Sequence, residues 1–276
     1  QILISSLLTI LLVGSNQAKP NGLRMINGKS VKEHEFPFLV FVKRKVYVED
    51  VQYTGECGGS LISTQHVLTA AHCVSKTSKY GQVNYKADRS DVTVYLGAHD
   101  REQFGLATKR SVRLVEQHET FFLYNGVGFN DIALLTLSKG VTVNENIKPI
   151  CLPRHRNFHD LQKLVTIIGW GRDNSGKTTP LPHKITSLIV NSSEPAGLFL
   201  TWNEKASVCS GDSGGPVVIK VGADPVLVGV VSVVSFIDGI CPVGQWAVPN
   251  VLTRVASYLD WIKKKVKNSG VKAKLC

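Results

Sequence analysis

The stretch Cys209-Ser210-Gly211-Asp212-Ser213-Gly214-Gly215-Pro216 decides how the rest of the chain is read. A serine between glycines can stand exposed on a tight turn. Glycine lacks Cβ, so the backbone bends freely there and a carbonyl can approach it. On such a turn the N–H groups of Gly211 and Ser213 can converge on one point, where negative charge would build on an attacked carbonyl. Gly-Asp-Ser-Gly-Gly alone is also ordinary turn chemistry. The full octapeptide, with its cysteine and proline, is far more restrictive. A serine hydroxyl is a poor nucleophile near neutral pH, so this reading demands a base held against it.

Two upstream stretches meet that demand. Val67-Leu68-Thr69-Ala70-Ala71-His72-Cys73 carries a histidine, the side chain whose proton exchanges nearest neutrality. Glu56-Cys57-Gly58-Gly59-Ser60-Leu61 supplies a second cysteine, and Phe129-Asn130-Asp131-Ile132-Ala133-Leu134-Leu135 places an aspartate at the head of an apolar run. In this order the motifs resemble those of the chymotrypsin-like (S1) serine proteases. The resemblance covers residues 25 to 268 and weakens between 172 and 206. It implies an all-β fold: two packed six-stranded antiparallel β-barrels, a cleft between them and a C-terminal α-helix. It also implies His72 as general base and then general acid, Asp131 as its orienting carboxylate, and Ser213 as nucleophile. Gly211 and Ser213 would form the oxyanion hole.

Length and composition agree with a domain of this size. The chain has 276 residues, 43% of them hydrophobic, which excludes a disordered chain and allows one large domain or two packed subdomains. Formal net charge is +11. Much of the excess lies in Lys263, Lys264, Lys265, Lys267, Lys272 and Lys274, which read as one solvated helix face plus a tail. No aromatic residues alternate with these lysines, so no stacking platform for nucleic acid is expected. Residues 1–18 read as a secretory signal whose start precedes Gln1. The apolar run Ile2 to Val13 is too short to span a bilayer, and cleavage fits after Ser15 or Ala18. The expected location is therefore extracellular, where six cysteines oxidise.

Residues 19–24 form a short propeptide in this scheme, and the resemblance makes Arg24–Met25 the activation site. The freed amine of Met25 would turn inward and pair with Asp212, which would otherwise be an unpaired buried charge. The family ordinarily has Ile or Val at the Met25 position; Met is apolar and adaptable enough to replace them. The peptidase domain then runs from 25 to 268: a first barrel over 25–142, a second over 143–254 and a helix over 255–268. Residues 269–276 form a tail. The pattern itself shows short β-rich runs, such as Phe38 to Val42, Ser60 to Ile62, Val92 to Leu96, Ile132 to Leu137, Val165 to Ile168, Pro216 to Ile219 and Val226 to Val234. Val255, Tyr258, Leu259 and Ile262 have helical spacing.

By resemblance, Ser207 lies at the floor of the pocket for the residue before the cut bond, where trypsin-like members carry Asp. Ile237 and Asn250 stand where the walls are usually glycine, and Ser235, followed by Phe236, would lend a hydroxyl near Asp131. A neutral, narrowed pocket implies cleavage after small or medium apolar residues and an activating trypsin-like protease other than the chain itself. The resemblance pairs Cys57 with Cys73 and Cys209 with Cys241. Cys151 and Cys276 remain and are expected to pair with each other, with an intermolecular bridge or free thiols as the alternatives. Ala98 replaces the first carboxylate of a calcium loop known in some relatives, so no metal and no cofactor are expected. Asn191-Ser192-Ser193 is an N-glycosylation sequon. Expected partners are protein or peptide substrates and protease inhibitors, with no nucleic acid, no membrane and a monomeric chain. The competing reading is a catalytically silent homologue used as a binding or cofactor protein; the intact His72, Asp131, Ser213 set argues against it.

Overall fold

The computed structural model describes residues 24–48, 51–77, 83–105, 107–173, 175–193, 196–232, 241–267 and 269–276. A helical turn, α1 (Arg24–Asn27), leads into β1 (Lys29–Ser30), β2 (Leu39–Val48), β3 (Val51–Ser63) and β4 (His66–Thr69). Then follow β5 (Ser75–Thr77), β6 (Val83–Lys86), β7 (Val92–Leu96), β8 (Thr108–Gln117), β9 (Phe122–Tyr124), β10 (Val127–Phe129) and β11 (Ala133–Leu137). The second half contains β12 (Leu164–Gly169), β13 (His183–Ser193), β14 (Leu198–Trp202), β15 (Pro216–Val221), β16 (Asp224–Val231), β17 (Asn250–Arg254) and α2 (Leu259–Lys267).

Two antiparallel barrels result. The first closes in the order β11-β4-β3-β2-β7-β8. In the second, β13-β12-β15-β16-β17-β14 closes through the β13–β14 pairing, and β1 is added outside β13. The sequence accounts for the strands through their burial. Val92, Val94 and Leu96 of β7 point inward while Thr93 and Tyr95 are half-exposed, the alternation of a one-sided sheet. β11 is buried along its whole length and reads as an unbroken apolar run apart from Thr136. Strands β13 and β14 lie inside the segment where the family resemblance is weakest. β13 buries alternate positions, from His183 through Ile185, Ser187 and Ile189. It was not recognisable as a strand because two of those four inward residues are polar.

The expected C-terminal helix begins as a tighter 3₁₀ turn over Val255–Tyr258 and becomes α-helical from Leu259. Leu259, Ile262 and Val266 lie buried in the same apolar cluster as Leu134 and Leu135 of β11. Each such side chain contributes about 1.5–3 kcal/mol of burial. Lys265 reinforces the contact by pairing with Glu116 at 3.2 Å and Glu119 at 2.8 Å. The last turn of the chain is thus fastened to the first barrel, although its sequence follows the second. Among the described residues no helix is long and apolar enough to cross a membrane.

Candidate active site

The histidine stands where β4 stops. Ala70 and Ala71 are fully buried, and His72 opens a 3₁₀ turn whose next residue, Cys73, is bonded to Cys57 of β3. The disulfide and the small buried residues fix the loop on the barrel wall. Asp131 sits between β10 and β11 and is completely buried. Its carboxylate accepts hydrogen bonds from His72 N at 2.9 Å, from His72 Nδ1 at 2.7 Å and from Ser232 Oγ at 2.6 Å. Burial alone would raise its pKa. The His72 charge and these hydrogen bonds outweigh that effect and hold the carboxyl below its ordinary range. Donation from Nδ1 leaves Nε2 as the basic nitrogen of a neutral ring, and the His72 side chain keeps 24% of its surface exposed.

The Ser213 loop is held from both barrels, by β3 of the first and β16 of the second. Gly58 N donates to Ser213 O at 2.7 Å, Gly214 N to Val231 O at 2.7 Å, and Val231 N to Gly215 O at 3.0 Å. Gly214 has φ +77°, and a Cβ there would strike Thr69 Oγ1 and Gly58 O. No other residue type fits, because both the backbone angle and the space forbid a side chain. The N–H groups of Gly211 and Ser213 take part in none of the hydrogen bonds formed among the described residues. Ser213 Oγ donates to Ser232 O at 3.5 Å. Among the described residues it makes no hydrogen bond to His72.

Asp212, next to the serine, is fully buried and accepts from Gly171 N at 2.7 Å and Cys209 N at 2.9 Å. No cation among the described residues pairs with it. Burial pushes its pKa from 3.8 up to about 7, against the pull of those two hydrogen bonds. Nearby, Ile26 is buried against Cys209 and Cys241, and its carbonyl accepts from Ser207 N at 3.3 Å. The chain just after Arg24–Met25 is therefore already seated beside the segment that leads to Asp212.

Ser207 and Asn250 meet: Ser207 Oγ donates to Asn250 Oδ1 at 2.9 Å, both residues being buried. The disulfides are Cys57–Cys73, Cys209–Cys241 and Cys151–Cys276. Asn191 is exposed on β13. Ser235 and Ile237 lie outside the described residues. Among the described residues the hydroxyl that bonds Asp131 is that of Ser232, a partner the sequence did not single out. The chain contains Val230-Val231-Ser232 and then Val233-Val234-Ser235, and the Phe after the second triplet draws attention to Ser235. The Gly214–Val231–Gly215 hydrogen bonds tie the first triplet to the serine loop. Tyr258 also escaped the sequence reading: its hydroxyl donates to Asn130 Oδ1 at 2.9 Å, and Thr253 Oγ1 donates to Asp131 O at 2.9 Å. Both fix the backbone that carries the carboxylate.

A buried carboxylate, an imidazole oriented by it, a serine on a glycine turn and two free N–H groups are the parts needed to attack a carbonyl. Comparison with known proteins agrees. A chymotrypsin from Phaedon cochleariae is 30% identical over 257 residues, covering 87% of this chain and 82% of its own length. Chymotrypsin-C from Bos taurus is 28% identical, with 90% and 91% covered. Phenoloxidase-activating factor 1 from Holotrichia diomphalia is 26% identical, with 88% and 70% covered. The family model described as trypsin matches residues 25–262, and with both barrels and the His72, Asp131, Ser213 constellation in place, the chain belongs to the trypsin family of chymotrypsin-like serine proteases.

Proposed function

We propose that the chain is a secreted serine endopeptidase, made as a zymogen, that hydrolyses peptide bonds through an acyl-enzyme. The observation that carries the reading is the pair of hydrogen bonds from His72 to buried Asp131, with Ser213 on the adjoining loop. In this mechanism Ser213 Oγ attacks the carbonyl carbon and passes its proton to His72 Nε2. The oxyanion is held by Gly211 N and Ser213 N. His72 then protonates the leaving amine, and a water molecule releases the acyl group by the same steps reversed. Asp131 stays ionised throughout and stabilises the imidazolium.

Activation is cleavage after Arg24 by a trypsin-like protease. The ammonium of Met25 then neutralises Asp212, which lacks a cation in the uncut chain, and the Asp212–Ser213 turn becomes fixed. Two features support a preference for small or medium apolar residues before the cut bond. Ser207 has no charge to pair with Lys or Arg, and Asn250 fills space beside it. Substrates are proteins or peptides, protease inhibitors would occupy the same cleft, the chain acts as a monomer, and Asn191 is available for a glycan. Labelling with a fluorophosphonate tests the reading. The chain cut after Arg24 should label at Ser213, the uncut chain far more slowly, and Ser213→Ala not at all. A cut, folded chain that stays unlabelled while a control chymotrypsin reacts would leave the silent-homologue reading in its place.

A further inference from the structure

Away from the triad, a groove of about 860 Å³ runs between the entry to the first barrel and the β12–β15 side of the second. Six lysines line it: Lys29, Lys148, Lys184, Lys205, Lys220 and Lys274. Only two carboxylates share the lining. Glu35 pairs with Lys184, and Asp224 with Lys274 at 3.2 Å. Lys29, Lys148, Lys205 and Lys220 are exposed, and none pairs with an acid among the described residues. The groove therefore carries four uncompensated positive charges. Lys29 and Lys184 are also direct cross-strand partners on β1 and β13, an arrangement that like charges disfavour.

We propose that this groove binds a sulfated polysaccharide chain. Its volume lies in the range of sites that enclose a ligand rather than of shallow surface hollows. The cations are all lysines, single-point charges suited to monoanionic sulfate esters. Among the described residues no arginine lines the groove to grip a phosphate dianion with two parallel donors. Of the apolar lining residues, Phe38, Ile185 and Ala206 are buried. Phe36, the ring that bases would need, is occupied by Phe38 at 5.8 Å and by Lys184 at 5.6 Å. The hydroxyls of Thr166 and Thr186 line the groove and form no hydrogen bond among the described residues, which leaves them for sugar hydroxyls.

The test is titration of the full chain with a fluorescent sulfated hexasaccharide between 50 and 300 mM NaCl. Three variants are compared with it: Lys29→Glu/Lys148→Glu/Lys220→Glu in the groove, the milder Lys29→Gln/Lys148→Gln/Lys220→Gln, and Lys263→Glu/Lys264→Glu/Lys267→Glu on α2. Thermal melting confirms that each is folded. The groove-charge reversal should weaken binding at least tenfold and flatten the salt dependence, and the glutamine set should do so to a smaller degree. By counterion release, about three lost contacts remove roughly 2–3 from the slope of log K against log salt. The α2 variant should stay within about twofold of the parent chain, since its charges lie off the site. Equal losses in the groove and α2 variants would overturn the proposal, because binding would then follow net charge alone. Unchanged affinity in both groove variants would overturn it too. So would equal affinity for the unsulfated hexasaccharide, for inorganic polyphosphate or for single-stranded DNA of matched charge.

Discussion

Cutting after Arg24 should change how stability depends on pH, and the size of the change follows from Asp212. In the uncut chain this carboxyl is fully buried without a cation, and its pKa rises from 3.8 to about 7. A group whose folded pKa exceeds its unfolded value binds its proton more tightly when folded. The associated stability is complete below about pH 4 and is lost as pH rises through about 7. The rise to about 7 corresponds to about 4 kcal/mol, of which more than half falls between pH 5 and 7.5. In the cut chain the proposed Met25 ammonium would face the carboxylate, and this loss should disappear. Melting curves of cut and uncut Ser213→Ala protein, which cannot digest itself, isolate the difference because all other titrating groups are shared. The gap in Tm should widen by about 5–10 °C in favour of the cut form between pH 5 and 7.5, at 2–4 °C per kcal/mol for a chain of this size. A gap that stays constant across that range would refute the reasoning. Either Asp212 would not be the unpaired charge, or the new amine would not reach it.

Three further outcomes follow from the site. Asp131→Asn should preserve the fold but lower kcat of the cut enzyme by about 10⁴, because an amide no longer fixes the His72 tautomer; steady-state hydrolysis of an apolar peptide ester, with circular dichroism for the fold, checks this. Ser232→Ala removes the 2.6 Å bond to Asp131 and leaves a buried carboxylate lone pair unpartnered. It should cost about 1–3 kcal/mol in urea unfolding, whereas Ser235→Ala should cost less, and the reverse order would reinstate Ser235 beside the carboxylate. Asn250→Gly should open the space beside Ser207 and raise kcat/KM for Phe or Tyr relative to Ala before the cut bond, by about 1–3 kcal/mol or 10–200-fold. A peptide-library cleavage profile unchanged from that of the parent enzyme would remove Asn250 from the pocket.

The His72, Asp131 and Ser213 stretches could be read locally because each of these side chains is set by its immediate neighbours. Ala70-Ala71-His72-Cys73 needs small buried residues and a bridging cysteine at fixed offsets. Gly211 to Gly215 needs backbone angles that only glycine tolerates, as at Gly214. The bond from Ser232 to Asp131 could not be read in this way. The two Val-Val-Ser triplets have equal local credentials, and Ser232 reaches a carboxylate 101 positions away along the chain. Strand β13 was obscured by polar residues pointing inward, whose burial depends on neighbours far away in sequence.

What the chain determined alone, then, is its family and its two-barrel class, because glycines, cysteines and apolar alternation act over a few residues. Folding decided the partners brought together across long separations: Tyr258 with Asn130, Ser207 with Asn250 and Asp212 with the backbone of Gly171. It also gathered six lysines spread from position 29 to 274 into one groove. Charge has no sequence periodicity to reveal such a gathering, and only the closing of the strands brings these residues within reach of one another.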